Sequence, residues 1–177
     1  PREQWKQMKE FIGKRQIDRL WVVGSNDTTA PIIDASYRRF LEILEKHLEG
    51  MSFLLGHRPA SADFAIYGQL SQLVGFDPTP RAIAHKISPR TVAWVDLMED
   101  QSGLEPSIED WKKIGDLPES ISELLAELGR VYVPALLANE KAVLNGDKTW
   151  ESEIDGCKWT QQTFSYQYKC LKWINEE

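Results

Sequence analysis

The chain has 177 residues, of which 42% are hydrophobic and 27% are charged, and its formal net charge is -6. This length and balance are typical of a folded globular protein and exclude a disordered chain. The acidic charge, with no basic stripe interleaved with aromatic residues, argues against a nucleic-acid partner. No apolar run is long enough for a transmembrane helix, so we expect no membrane partner and a cytoplasmic location.

The first half of the chain is predicted to be helical. Glycine or proline separates four stretches in which apolar residues recur at helical spacing. The predicted helices run from about residue 2 to residue 22 with a stop at Gly24, from Pro31 to a stop at Gly50, from Asp63 to near Gly75, and from about residue 81 to residue 86, with a proline-containing turn over 77–80 before the last of them.

The next segment continues the helical pattern. Ser88 and Pro89 supply an N-cap and a first-turn proline for a fifth helix, which a charged connection follows. Ser120 and Glu123 form a Ser-x-x-Glu pattern, which predicts a capping box at the start of a long helix. Pro134 is expected to kink this helix.

Residues 149–161 are predicted to form a two-stranded hairpin. The Asp155–Gly156 pair favours a two-residue turn, because such a turn needs positive φ at both positions. The flanking residues alternate, which places Trp150 and Trp159 together on the face predicted to be buried. A final helix is expected over about residues 164–175.

Side chains that could carry chemistry are few and scattered. Cys157 and Cys170 are the only cysteines, too few for a disulfide scaffold and without the spacing of a zinc site. His47, His57 and His85 lie in different segments, so we predict surface or loop positions and no metal site. No glycine-rich phosphate loop, nucleophile elbow or pair of catalytic carboxylates is present. The residues predict no catalytic group and no cofactor bound by this chain alone.

The run FLLGHRPASADFAIYGQLSQL, residues 53–73, links an extended segment, a loop and a helix start. It resembles the signature of the C-terminal helical domain of glutathione transferases, where an extended segment ends in Gly and a Pro-containing loop follows. In that family an Asp at the start of the next helix ties the loop down, so we expect Asp63 to accept backbone N–H groups of the loop or of the helix start. The matching residues are Phe53, Leu54, Leu55, Gly56, Pro59 and Asp63. The family usually has Ser or Thr three residues before the Asp, and here that position is Ala60. Asp63 by itself suits a helix start in any helical protein.

The resemblance implies an all-α, glutathione transferase C-terminal-like helical bundle over residues 1–147, with a hairpin and helix appendage over 148–177 packed on the same domain. It implies a parent transferase that uses glutathione as substrate, with the catalytic residue on a thioredoxin-like N-terminal domain in cis. A homodimer and a small hydrophobic electrophile are the other implied partners. This chain would be the co-substrate-binding domain and not catalytic alone. The alternative is a non-catalytic adaptor of the same fold that binds proteins.

The resemblance also suggests where a co-substrate would lie. In the family the first helix and the C-terminal segments form one wall of the pocket. By position, the candidates are Phe11, Arg15 and Arg19 on the first helix and Phe164 and Tyr168 on the last. Arg15 and Arg19 are four residues apart and share a helix face, where they could attract an anionic ligand. The alternative is a solvated face on which both arginines pair with neighbouring acidic side chains.

Overall fold

A computed structural model of the protein describes residues 2–176. These residues are mostly helical, with one two-stranded antiparallel sheet among them, so the helical class with a small C-terminal hairpin is confirmed. The α-helices are α1 (Arg2–Ile17), α2 (Ala30–His47), α3 (Ser61–Leu73), α4 (Pro78–Ile87), α5 (Pro89–Met98), α6 (Glu119–Glu127), α7 (Val133–Asn145) and α8 (Ser165–Glu176), and the strands are β1 (Thr149–Ile154) and β2 (Cys157–Gln162).

The chain divides into two compact units. One contains the residues up to Ala35 together with those from Leu128 onward, and the other is Ser36–Glu127. The divisions fall within α2 and directly after α6, and therefore differ from the boundary near residue 147 that the resemblance implies. We call the discontinuous unit the terminal unit and the other the central unit.

The central unit has a core built from the C-terminal part of α2, from α3, α4 and α5, and from the segment that follows α2. Its buried members are Leu41, Leu44, Phe53, Leu54, Leu70, Val74, Ala84, Trp94, Val95 and Met98. The Trp94 indole N–H donates to the Ser52 carbonyl at 3.1 Å. This bond holds the chain directly before residues 53–56. The extended segment expected there is instead a tight turn, in which the Phe53 N–H donates to the Gly56 carbonyl at 3.2 Å.

Helix α4 begins earlier than predicted. The Asp77 carboxylate accepts the Thr79 backbone N–H at 3.0 Å and caps a helix that starts at Pro78. Pro78 and Pro80 lie in the first turn, where a backbone N–H has no partner within the helix, so proline is tolerated there. The turn predicted over 77–80 is therefore the first turn of α4.

Helix α5 is capped by a side chain of α2. Ser88 and Pro89 hold the predicted N-cap and first positions, but the Ser88 hydroxyl bonds to Glu45 and Thr91 instead of a backbone N–H. The Glu45 carboxylate accepts the Arg90 backbone N–H at 2.9 Å and pairs with the Arg90 guanidinium. Burial raises the pKa of Glu45, but the bonds from Arg90 and Ser88 outweigh it and lower this pKa below its ordinary value.

The connection between α5 and α6 is held at its middle. The His57 N–H donates to the Asp110 carbonyl at 2.7 Å, and the Lys112 N–H donates to the Leu55 carbonyl at 2.8 Å. Gly56 lies between these bonds, and a Cβ at this position would overlap the Asp110 carbonyl oxygen. Glycine is therefore required at position 56 by the close approach of a second backbone.

The long helix predicted after Ser120 is interrupted. Helix α6 ends at Glu127, a π-helical turn spans Leu128–Tyr132, and α7 follows with Pro134 in its first turn. Proline has no N–H to donate to the carbonyl four residues earlier, and a wider turn directly before it accommodates that loss. Where a kink at Pro134 was expected, this π-helical turn separates α6 from α7.

The hairpin has the predicted turn and register. Asp155 and Gly156 have φ values of 49° and 75°, as a two-residue turn between twisted strands requires. Ile154 lies opposite Cys157, as expected for a turn of two residues. The prediction of a hairpin turning at these residues is confirmed.

The inner face of the hairpin packs on α7. Trp150 and Ile154 are buried there, and Trp159 packs against them while remaining partly exposed, so the predicted shared face of the two indoles is confirmed. The Gln161 side-chain amide donates to the Val22 carbonyl at 2.6 Å. The hairpin therefore also contacts the segment that follows α1.

Helix α1 is shorter than predicted. It ends at Ile17, and a 3₁₀ turn over Leu20–Val23 follows. Gly24 ends this turn with a φ of 71°, so the stop predicted at Gly24 is correct although the helix before it is not continuous. The Trp159 indole occupies the space where a Cβ on Gly24 would lie. Glycine here satisfies both the positive φ and the close contact.

Candidate functional site

The residues proposed from the first helix are exposed. Phe11 is 65% exposed, and Arg15 is also on the surface of α1, a helix in which none of the described residues is buried. Arg19 lies beyond the end of α1, so it does not continue the helical face of Arg15 as the four-residue spacing predicted. Their role as the wall of a pocket stays a prediction.

The residues proposed from the last helix are positioned by α7. Asn139 is fully buried, and its side-chain amide accepts the Phe164 backbone N–H at 2.7 Å and donates to the Phe164 carbonyl at 2.9 Å. This pair of bonds fixes the residue before α8. Phe164 and Tyr168 are both partly buried, and they lie one helical turn apart. These two aromatic residues therefore have a defined place, unlike the α1 candidates.

Asp63 has the role predicted for it. Its carboxylate is fully buried and accepts the Leu54 N–H at 2.8 Å and the Ala60 N–H at 2.9 Å. A capping box has two bonds, and only the bond from the Ala60 N–H to Asp63 is present. The reciprocal bond is missing, because the Ala60 side chain has no hydrogen-bond acceptor. Burial raises the pKa of Asp63 above its ordinary value and outweighs the opposing effects of the two N–H bonds and of nearby His47.

His47 was wrongly predicted to be a surface or loop residue. It is 2% exposed on α2, with Nδ1 2.8 Å from the Ser120 hydroxyl and Nε2 3.1 Å from the Phe53 carbonyl. A carbonyl oxygen can only accept a hydrogen bond, so we assign the imidazole proton to Nε2. In this tautomer Nδ1 accepts the O–H of Ser120. The contact with Ser120 could not be predicted from a local pattern, because Ser120 is 73 positions away.

The capping box predicted for Ser120 and Glu123 is not formed. Helix α6 begins at Glu119, so Ser120 is already inside it. The Ser120 hydroxyl is used by His47, and the Glu123 carboxylate pairs with Lys46 at 2.8 Å. Two consecutive residues of α2, Lys46 and His47, therefore bind both side chains of the predicted capping box. Tertiary partners in the central unit have therefore replaced the local cap.

The buried polar network resembles catalytic chemistry only in its residue types. Ser120 and His47 have the contact of a nucleophile and its base, and Asp63 is near. Ser120 is only 5% exposed, however, and both imidazole nitrogens are already bonded. A substrate would have no access to the reacting atoms, so this network holds the loop before α3 in place.

A depression of about 650 Å³ lies where α7, the hairpin and α8 meet. It is lined by Val143, Gly146, Asp147, Lys148, Thr149, Gln162, Thr163 and Ser165. The Thr163 hydroxyl is already used, because it donates to the Asp147 carbonyl at 2.8 Å. The lining brings together one cation, one carboxylate and several small polar groups, and no pair of them forms a catalytic contact.

The main surface feature of the terminal unit is the apolar stripe of α1. Trp5, Met8, Phe11 and Ile12 fall on one side of the helix, and their exposed fractions are 77%, 53%, 65% and 48%. The stripe is therefore an apolar surface that the described residues leave exposed.

Within residues 2–176, no group of His, Cys, Asp or Glu side chains is arranged to hold a metal ion. No helix of this described part has both the length and the apolar character to cross a membrane. A scan against protein-family models, a search of the curated proteins and a search of the solved structures each found no match.

Proposed function

We propose that this chain is a helical binding domain of the glutathione transferase C-terminal type, not catalytic alone, and that it binds other proteins through its surface. The observation that carries the proposal is the buried Asp63 carboxylate, which ties Leu54 and Ala60 to the start of α3. This is the role that the resemblance gives to the Asp. The exposed apolar stripe of α1 favours a protein-binding role over a catalytic one.

The absence of conjugation is tested with glutathione and an aryl halide. We expect the purified chain to give no turnover above the uncatalysed rate, because the Ser120–His47 contact is buried. Ser120→Ala is the matched control, since it removes the hydroxyl of that contact. Turnover that survives rigorous purification and disappears in Ser120→Ala would show that the network is catalytic and would contradict the proposal.

The second candidate is a wall for an apolar co-substrate, and it is favoured by the fixed position of Phe164. The two bonds from Asn139 hold Phe164 in place, and Tyr168 lies one turn further along α8. Titration with an anionic aromatic probe, anilinonaphthalene sulfonate, tests this candidate. We expect Tyr168→Ala to weaken probe binding and Tyr166→Ala, on an exposed position of the same helix, to leave it unchanged. Equal effects of the two variants would exclude this wall.

A further inference from the structure

The depression beside the hairpin is bounded by the ends of two helices of the terminal unit. Val143 belongs to the last turn of α7, Gly146 directly follows that helix, and Ser165 is the first residue of α8. The last carbonyl groups of a helix carry a partial negative charge, and its first N–H groups carry a partial positive charge. The depression therefore lies between a negative and a positive helix end.

Two side chains of opposite charge line the same depression. Asp147 and Lys148 are consecutive in the sequence, and both are exposed. The lining also contains the hydroxyls of Thr149 and Ser165 and the side-chain amide of Gln162, which can donate and accept hydrogen bonds. The lining therefore offers a partner for an ammonium group, a partner for a carboxylate, and partners for polar groups between them.

The backbone around the depression is held in place by its own hydrogen bonds. The Asp147 N–H donates to the Ala142 carbonyl at 2.9 Å and closes the end of α7, and the Thr163 N–H donates to the Lys148 carbonyl at 3.0 Å. The Asp147 carbonyl accepts the Thr163 hydroxyl at 2.8 Å. These bonds use the backbone of Asp147 and Lys148 and leave their charged groups to a ligand. A lining that is fixed before a ligand arrives lowers the entropic cost of binding it.

We propose that this depression is a binding site for a short linear peptide with free ends. Its volume of about 650 Å³ is typical of small-molecule sites. The ligand carboxylate pairs with Lys148 and the start of α8, and the ligand ammonium pairs with Asp147 and the end of α7. A ligand of a single charge sign would meet one attractive and one repulsive helix end. The site goes beyond the protein-binding role proposed above and depends on neither α1 nor Asp63.

Triglycine tests the site, because it has both free ends and no side chains. In an NMR titration we expect it to shift the backbone amide signals of residues 146–149 and 162–165, with a dissociation constant of about 1 mM or below. N-acetyltriglycine lacks the ammonium group, and triglycine amide lacks the carboxylate. Each is expected to bind about tenfold more weakly or worse, because each loses one charge-assisted hydrogen bond.

Two substitutions assign the two charges of the ligand to their partners. Lys148→Gln is expected to weaken triglycine binding about tenfold and to leave the binding of triglycine amide, which has no carboxylate, unchanged. Asp147→Asn is expected to weaken triglycine binding and to leave the binding of N-acetyltriglycine unchanged. Lys141→Gln is the matched control, because Lys141 is exposed on α7 outside the lining, and it should leave the affinity for triglycine unchanged.

The substituted side chains are exposed, and unchanged amide signals of the hairpin in the ligand-free variants check that each is folded. Three results would overturn the proposal. The first is that triglycine shifts no amide signal of residues 146–149 and 162–165. The second is that Lys148→Gln binds triglycine as Lys141→Gln does. The third is that acetate binds as tightly as triglycine, since a site for any anion needs no ammonium partner.

Discussion

The start of α3 and the whole of α1 are helical regions with opposite surroundings. At the start of α3, the fully buried Asp63 has both carboxylate oxygens bonded to backbone N–H groups of its own unit. On α1, Trp5 and Phe11 are 77% and 65% exposed. The first region is specified by contacts inside the chain. The second has an apolar pattern that the described residues leave exposed, so periodicity predicts the helix without identifying what covers it.

The strongest test of this contrast is Asp63→Ala. The substitution leaves the Leu54 and Ala60 N–H groups buried without acceptors, and we expect a loss of about 3 kcal/mol of unfolding free energy. Urea unfolding followed by circular dichroism measures it. Asp77→Ala is the control, because this exposed N-cap accepts one N–H and its removal should cost about 1 kcal/mol. Equal losses of unfolding free energy at the two positions would show that the burial of Asp63 adds nothing to the cost of removing its carboxylate.

The anchoring of the connection between α5 and α6 is tested by Gly56→Ala. The added Cβ overlaps the Asp110 carbonyl oxygen, so the backbone of residues 107–112 must move away, at an expected cost of about 2 kcal/mol. Gly68→Ala is the control, because a Cβ there meets nothing and alanine favours the helix by roughly 0.5 to 1 kcal/mol. A thermal midpoint for Gly56→Ala at or above the wild-type value would refute the close approach.

The features that the sequence predicted well depend on local chemistry. The Asp155–Gly156 turn fixes its own geometry, and the turn length then sets which residues lie opposite each other. Asp63 was also predictable, because one of its two partners, Ala60, lies three residues away. In both cases the decisive interactions lie within about ten residues, where spacing and turn chemistry are visible in the sequence.

The features that the sequence missed depend on distant partners. Ser120 and Glu123 have the spacing of a capping box, but His47 and Lys46 bind them instead. Similarly, Ser88 was expected to cap α5. Instead, Glu45 of α2 accepts the Arg90 backbone N–H at the start of that helix and also accepts the Ser88 O–H. The candidate pocket residues of α1 and α8 were chosen by position in a fold and not by a chemical pattern, so spacing could not show whether they meet.

The cap that α2 provides for α5 is tested through its pH dependence. The pKa of Glu45 is lowered in the folded state, so its contribution to stability is present above the ordinary pKa of about 4.3 and is lost as the pH falls through the folded value. Glu45→Gln should therefore cost about 1 kcal/mol at pH 7 and progressively less below pH 4. Urea midpoints of the wild-type chain and of Glu45→Gln, measured at pH 7 and below pH 4, give the difference. A cost that does not change with pH would mean that the charge of Glu45 is not what stabilises α5.

The smallest expected effect concerns α1 itself. Trp5→Ala and Phe11→Ala remove large apolar side chains, but both lie on the surface, so each should change the unfolding free energy of the isolated monomer by less than about 0.5 kcal/mol. The measurement requires a dilution at which sedimentation shows a single copy. Trp94→Ala, at a position 4% exposed, is the control and should cost about 3 kcal/mol or more. If Trp5→Ala were as damaging as Trp94→Ala in the monomer, α1 would be part of the core of its own chain, and the contrast between the two helical regions would fail.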